Sequence, residues 1–519
     1  MKYIQMLKSY KNKTVVFFFI MSLIFSQFMI QYQEVLWPKL YMLIVIIAMI
    51  GLLIFSSLNN EKKIAWNAFV CIVILGGANA LIMPVRYNLD ENTHYYHVLQ
   101  IADGKFRNQS DEKNFLMISP DFLAITKLPS KSGYNSPINT NLYNEEFKEL
   151  VTLPSNYNSK YANDKNGKLN NPAYYPSALG VFISRKITNS LMVSYYFGRI
   201  FNVIFYSILV AIGILISKNY KLPLFFAGTI PYTLWISAGY SYDSLYYGLV
   251  IILIAILSNF ISLKNIDLKK MSYYSLLCSL LVLCKAPVIL LITIPLFLPN
   301  SFFKSRRDRL FSIVPVIIGS IISFLWLIQG KIFSIFSNIQ SNNGSSIANT
   351  NKVDRISYFI EHPTYTIGLL LRSISDVFVT IQTSISIPWP FINPSSFVGS
   401  INLIYFVLVI IILSKANTII ITKKLKLIFL FLISTITFAI FYAISGDSRV
   451  FSLGDLRIDG VQGRYHFYII TLIPLLFSNL INNLNIIKDI DQKKLSIFVM
   501  KATFVILFLN TCIGMYAYL

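Results

Sequence analysis

"IVILGGANALIMPVRYNLDENTHYYH", residues 72–97, decides how this chain is read. Its first half is apolar, and the run of about twenty mostly apolar residues to which it belongs ends near Pro84. Asp90 and Glu91 then stand side by side where a hydrophobic span meets water. His94 and His97, two of only four histidines, follow at once. The stretch marks a membrane boundary that carries titratable groups.

Working outward, the same pattern recurs along all 519 residues. The hydrophobic fraction is 55%, charged residues are 13%, and the mean hydropathy is +0.60. A soluble chain of this length carries about twice that charge. Long apolar runs without short alternating segments exclude a barrel and predict an all-α polytopic membrane protein, because helices satisfy their own backbone in hydrocarbon. The first span, near 14–33, follows basic residues and has no small-residue cleavage site, so it reads as a retained helix. The net charge of +22 lies largely in short loops between spans, which points to orientation signals and not to nucleic acid. Cys71, Cys278, Cys284 and Cys512 all fall in apolar segments, so no disulfide framework is expected. The abundance of Ile, Lys, Asn and Tyr fits a low-GC bacterium, and a multi-pass chain is expected in its plasma membrane.

Basic loops set the expected topology. Lys2, Lys8, Lys11 and Lys13 place the N-terminus in the cytoplasm. Spans near 14–33, 38–57 and 66–85 form an N-terminal unit, residues 1–85. Residues 86–190 are then an exoplasmic loop with juxtamembrane helices, long enough to be functional. Residues 191–329 hold central spans near 192–216, 222–240 and 242–263, two short arms within 272–299, and a span near 309–329. Basic residues flank 272–299 on both sides, so it enters and returns, with Lys285 and Pro287 at the apex. Each arm has about thirteen residues, or roughly 20 Å of helix. Residues 330–399 form a second exoplasmic segment: "SNNGSSIANTN" is a flexible loop, and "IGLLLRSISDVFVTIQTSI" suits an interfacial helix with Arg372 and Asp376 four apart. Residues 400–519 carry the last four spans. The sum is about thirteen crossings with the C-terminus outside. All four histidines and both long loops fall on the outer face, and no P-loop or dinucleotide fingerprint appears. Chemistry is expected outside.

Candidate residues follow from that map. Asp90 and Glu91 are the acid types that serve as a general base or hold a divalent cation such as Mg²⁺ or Mn²⁺. A helix through this stretch would put Asp90, His94 and His97 on one face; both acids reach one substrate only if the backbone is irregular at 88–91, with a helix resuming near 92. Tyr174 and Tyr175, in "NNPAYYPSALGVFISRK", read foremost as belt aromatics of the interface. Arg199 lies inside a span in "YYFGRIFN", where a charge is costly and usually functional. Asp243, in "GYSYDSLYY", opens an outer turn on the same side as Asp90, either as a helix cap or as a site residue. Lys285 lies near the outer leaflet. Arg464 and His466 stand at the outer mouth of a span, and an arginine fork there suits a phosphate oxygen.

Five stretches in order, "DENTHYYHVLQIADGKF", "NNPAYYPSALGVFISRKI", "YYFGRIFNVIF", "YDSLYYGLVI" and "GVQGRYHFYIITLIPLL", resemble the bacterial membrane family called domain of unknown function 2142. That family resembles the GT-C glycosyltransferases, which include the protein O-mannosyltransferases. The resemblance covers about 66–485 and implies a GT-C-like fold. It implies a polyprenyl-phosphate sugar donor and a cell-surface glycan or other extracytoplasmic acceptor. By the same implication the acidic pair opening the first large exoplasmic loop, here Asp90 and Glu91, is catalytic. The substrate would meet His94, His97, Arg199, Asp243, Lys285, Arg464 and His466. The family carries Pro before the later aspartate, where this chain has Tyr242. Loop 128–170 matches nothing in the pattern. Two other classes share the outward-facing plan: a polysaccharide polymerase, and a lipid or solute transporter. A transporter depends on polar groups at the bilayer midplane, whereas the polar residues here crowd the outer surface.

Overall fold

The structure, a computed structural model, describes residues 12–31, 39–107, 119–127, 140–155, 169–337, 352–387, 393–482 and 491–517. The polar loop 341–351 and most of 128–170 lie outside the described residues. Among those described there is no β-strand, only isolated bridges such as Arg107 with Leu169 and Pro154 with Ser190.

Two apolar helices come first, α1 (Lys13–Gln31) and α2 (Lys39–Phe55). α3 (Glu61–Ile82) follows, with one π-helical turn at Ile72–Gly76. The first long polar segment contributes α4 (Glu91–Ala102), α5 (Pro120–Lys127), α6 (Thr140–Thr152) and α7 (Tyr175–Ile187). α8 (Leu191–Ile216), α9 (Lys221–Gly228), α10 (Pro231–Ser237), α11 (Asp243–Leu263) and α12 (Leu268–Leu281) form the centre. A 3₁₀ segment, Ala286–Phe297, leads to α13 (Arg306–Phe311) and α14 (Ile313–Ser337). The second polar segment holds α15 (Lys352–Glu361) and α16 (Pro363–Thr383). α17 (Asn393–Ala416), α18 (Lys423–Ile444), α19 (Phe467–Asn482) and α20 (Gln492–Ala517) complete the chain.

Seven of these stretches are long and apolar enough to cross a membrane: α3, α8, α11, the run Arg306–Gln329, α18, and most of α17 and of α20. Shorter apolar helices occupy Lys13–Phe28, Leu40–Phe55 and Ala286–Phe297. The expected span near 222–240 is two helices, not one. Pro231 lacks an N–H and pushes Ile230 to extended backbone (φ −71°, ψ 150°), which ends α9 and starts α10. The stretch 272–299 does consist of two short arms, α12 and the 3₁₀ segment, with Lys285 extended between them. In α16, Arg372 and Asp376 share a face; both engage the 456–457 loop, through Leu456 O at 3.2 Å and the Arg457 side chain at 3.2 Å.

α11 lies at the centre, with 83% of its most apolar stretch buried, against 22% for Arg306–Gln329, which lies at the periphery. Without a hydrophobic drive between helices in lipid, close approach needs small residues. Gly213 of α8 supplies one: a Cβ there would lie 2.7 Å from Ile251 of α11. The polar segment α4–α7 has its own core, in which Tyr95, Leu99, Phe122, Tyr174, Val181 and Tyr195 are buried together. Arg185 fastens it, reaching Asp103 at 2.5 Å and Asp121 at 2.8 Å.

Candidate functional site

The junction between α3 and α4 is built on breaks that its sequence requires. Pro84 forces Met83 to extended backbone (φ −63°, ψ 125°) and ends α3. Arg86 (φ 63°) and Asp90 (φ 54°) then take left-handed conformations, and α4 begins at Glu91. The irregular backbone expected at the acidic pair is present, with the helix resuming one residue earlier than the pattern suggested. A left-handed non-glycine residue is strained by about 1–2 kcal/mol, so the surroundings must hold it.

Arg199 of α8 does much of that holding. It is wholly buried; Nε donates to Glu91 Oε1 at 2.8 Å and Nη2 to Oε2 at 2.7 Å. Its remaining donors cap the free carbonyls at the end of α3: Met83 O at 2.6 Å, Pro84 O at 2.7 Å and Ala80 O at 3.2 Å. Glu91 also accepts from the Tyr240 amide at 3.1 Å and the Asn88 amide at 3.2 Å. Gly239 leaves room for this crossing, since a Cβ there would run into the Asn88 side chain. Asn202, one turn from Arg199, binds Gly239 O at 2.8 Å and Ser244 Oγ at 2.9 Å and so fixes the α10–α11 turn. The expectation that Arg199 meets the substrate does not match this geometry: its donors are all spent on protein. Glu91, expected beside Asp90 on a substrate, turns inward to Arg199.

Asp90 turns the other way. Its side chain is 62% exposed, and Oδ2 accepts from Arg464 Nη2 at 3.0 Å. Arg464 comes from a 3₁₀ turn, Gly463–His466, just before α19. Its Nη1 lies 3.2 Å from Asp243 Oδ2, and Lys285 Nζ lies 3.1 Å from Asp243 Oδ1. Asp243 is the first residue of α11, where a carboxylate also suits the helix dipole; the capping position itself is Tyr242. Lys285 donates to the Tyr242 hydroxyl at 3.2 Å and sits between the rings of Tyr242 (4.7 Å) and Tyr465 (4.2 Å). Four element ends thus deliver an alternating chain, Asp90–Arg464–Asp243–Lys285. Arg464 Nε and, one turn along from Asp243, the Tyr247 hydroxyl are buried without hydrogen-bond partners. Among the described residues no group of three or more His, Cys, Asp or Glu is placed to hold a metal ion.

The histidines of α4 line one side of this cluster. His94 Nδ1 is 2.7 Å from the Tyr174 hydroxyl, and its ring meets Tyr242 edge-on at 5.0 Å. His97 stacks on Tyr174 at 5.3 Å and reaches Asn170 Oδ1 at 3.2 Å. Burial pushes His94 down from 6.5 to about 4, against the pull of Asp243 and Asp90, so it is neutral near pH 7. Burial also lowers His97, opposed by its bond to Asn170. Burial raises the Tyr174 hydroxyl well above its ordinary range. Tyr174 is therefore no belt aromatic; Tyr175, 44% exposed, keeps that reading. His466 is buried with neither ring nitrogen hydrogen-bonded, its ring 6.3 Å from Tyr468. Tyr174, Tyr242 and Tyr465 were not singled out by sequence as site residues. Tyr242 and Tyr465 directly neighbour residues that were, Asp243 and the pair Arg464 and His466, which is the signal that marks them; Tyr174 lies in a stretch read as interfacial, and only its packing against His94 and His97 reveals it.

The chain belongs to the family described as predicted membrane protein (DUF2142), whose model matches residues 71–476. All nine candidate residues lie within that match. No curated protein and no solved structure matches the chain.

Proposed function

We propose that this family member is a membrane glycosyltransferase that moves a sugar from a polyprenyl-phosphate donor to a cell-surface glycan or other extracytoplasmic acceptor, on a GT-C-like plan. The observation that carries the reading is the chain Asp90–Arg464–Asp243–Lys285. It places one exposed carboxylate on a guanidinium whose other edge, with Lys285, is enclosed. A base and an anion holder then share one arginine. In the reaction, Asp90 takes the proton of the acceptor hydroxyl as its oxygen attacks the anomeric carbon. The bond from that carbon to the phosphate oxygen breaks, and its electron pair stays on that oxygen, beside Arg464 and Lys285. Neutral His94 and the tyrosines around it offer hydrogen bonds and ring faces to a sugar. Glu91 and Arg199 hold the frame and touch no substrate. The prenyl tail lies in the hydrocarbon layer beside the spans. The outward orientation rests on the basic loops, which put the N-terminus in the cytoplasm of a bacterial plasma membrane.

The test is to compare surface-glycan composition in wild type, a deletion strain and a deletion strain carrying Asp90→Asn. The expected result is one missing sugar in both altered strains. Identical glycans in all three would remove the reading.

A further inference from the structure

The enclosed part of the cluster has a charge count of its own. Lys285, Arg464 and Asp243 have side-chain exposures of 8%, 4% and 1%, whereas Asp90 stands at 62% on the rim. The interior therefore holds two cations and one carboxylate, a net single positive charge. Asp243 divides its oxygens between the cations, at 3.1 Å to Lys285 and 3.2 Å to Arg464. That keeps the two cations together and still leaves Arg464 Nε–H buried with nothing to accept it. A buried donor without a partner is costly, and a ligand oxygen would satisfy it.

We propose that Asp243 is the specificity-determining residue of this site: it holds Lys285 and Arg464 side by side and limits them to a monoanionic phosphodiester. This rests on the reading of the cluster as an anion site. A phosphodiester brings one negative charge and neutralises the interior. A phosphomonoester carries close to two near neutral pH and leaves an uncompensated buried anion. The consequence for turnover is direct. A sugar linked through phosphate to a lipid is a diester, and its transfer leaves a monoester after the proton has gone to Asp90. The site then holds its substrate better than its product, so release follows from charge.

A matched pair of probes tests this: diethyl phosphate, a monoanion, and ethyl phosphate, a dianion at about pH 8. Binding is measured by titration on the full chain in detergent, in a phosphate-free buffer. Wild type should prefer the diester by about tenfold or more. Asp243→Asn raises the interior to two positive charges and should reverse the preference, whereas Asp243→Glu should keep it. Asp243→Asn with Lys285→Gln removes an ion pair as a unit and restores a single positive charge. It should return the preference to the diester, and a monoester preference in it would overturn the charge count even where Asp243→Asn alone does not fold. Equal binding of both probes by wild type overturns the assignment while leaving an anion site, as does an unchanged preference in Asp243→Asn. Binding of neither probe by wild type overturns the anion site and the assignment together.

Discussion

Arg464 Nη2 lies 3.0 Å from Asp90 Oδ2, although the two residues stand 374 positions apart in the chain. The contact joins the start of α4 to the turn before α19. The same guanidinium reaches Asp243 at 3.2 Å through its other terminal nitrogen. Asp90 is thus held from outside by a side chain, while its backbone is held in a left-handed turn.

That strain gives a prediction separating stability from activity. Asp90→Gly and Asp90→Asn relieve or tolerate the left-handed turn and should melt at or above the wild-type temperature. Both should lose about 100-fold or more in sugar transfer, the range for loss of a general base. Asp90→Ala keeps the strain and also loses the Arg464 contact, so it should melt lower. Melting in detergent and a transfer assay with a lipid-linked sugar check this, and full activity in Asp90→Asn would exclude Asp90 as the base.

The Glu91–Arg199 pair should behave oppositely. Each group is buried, so removing one leaves the other uncompensated, at a cost of about 3–5 kcal/mol. Glu91→Gln and Arg199→Gln should lower yield and melting temperature sharply. Arg199→Lys should not rescue, because one ammonium cannot serve two carboxylate oxygens and three carbonyls together. A well-folded Arg199→Gln protein with selectively weakened donor binding would contradict the structural role.

His94 makes stability pH-dependent. Its pKa falls from 6.5 in the unfolded chain to about 4 in the folded one. Between those values the unfolded chain binds the extra proton. Stability is therefore full above about pH 6.5 and is lost as pH falls toward about 4, by on the order of a few kcal/mol. His97 is shifted the same way and adds to it. His94→Gln should flatten the melting-temperature profile across that window; a profile as steep as wild type would assign the dependence elsewhere.

Sidedness is open to direct labelling. The native cysteines are buried or partly buried, which keeps background low. Single cysteines at exposed Lys186 and Glu361 should react with an impermeant thiol reagent on intact cells. Cysteines at exposed Lys63 and Lys269 should react only after lysis. The reverse pattern would invert the topology.

The sequence alone determined the helical membrane class, the break at Pro84–Asp90 and the short arms meeting at Lys285. Each is a local consequence of hydropathy, proline or charge, and needs no distant contact. It also marked Asp90, Asp243, Lys285 and Arg464 singly, because in a chain with only 13% charged residues each stands out against apolar or aromatic neighbours. The division of α9 from α10 was written at Pro231 but masked by continuous hydropathy. Only the tertiary structure decided how the charges pair. Asp90 and Glu91 look equivalent as neighbours, yet a left-handed turn sends one to Arg464 at the rim and the other to Arg199 in the interior. Pairings across 108 and 374 positions depend on which helices pack together, and no local pattern encodes that choice.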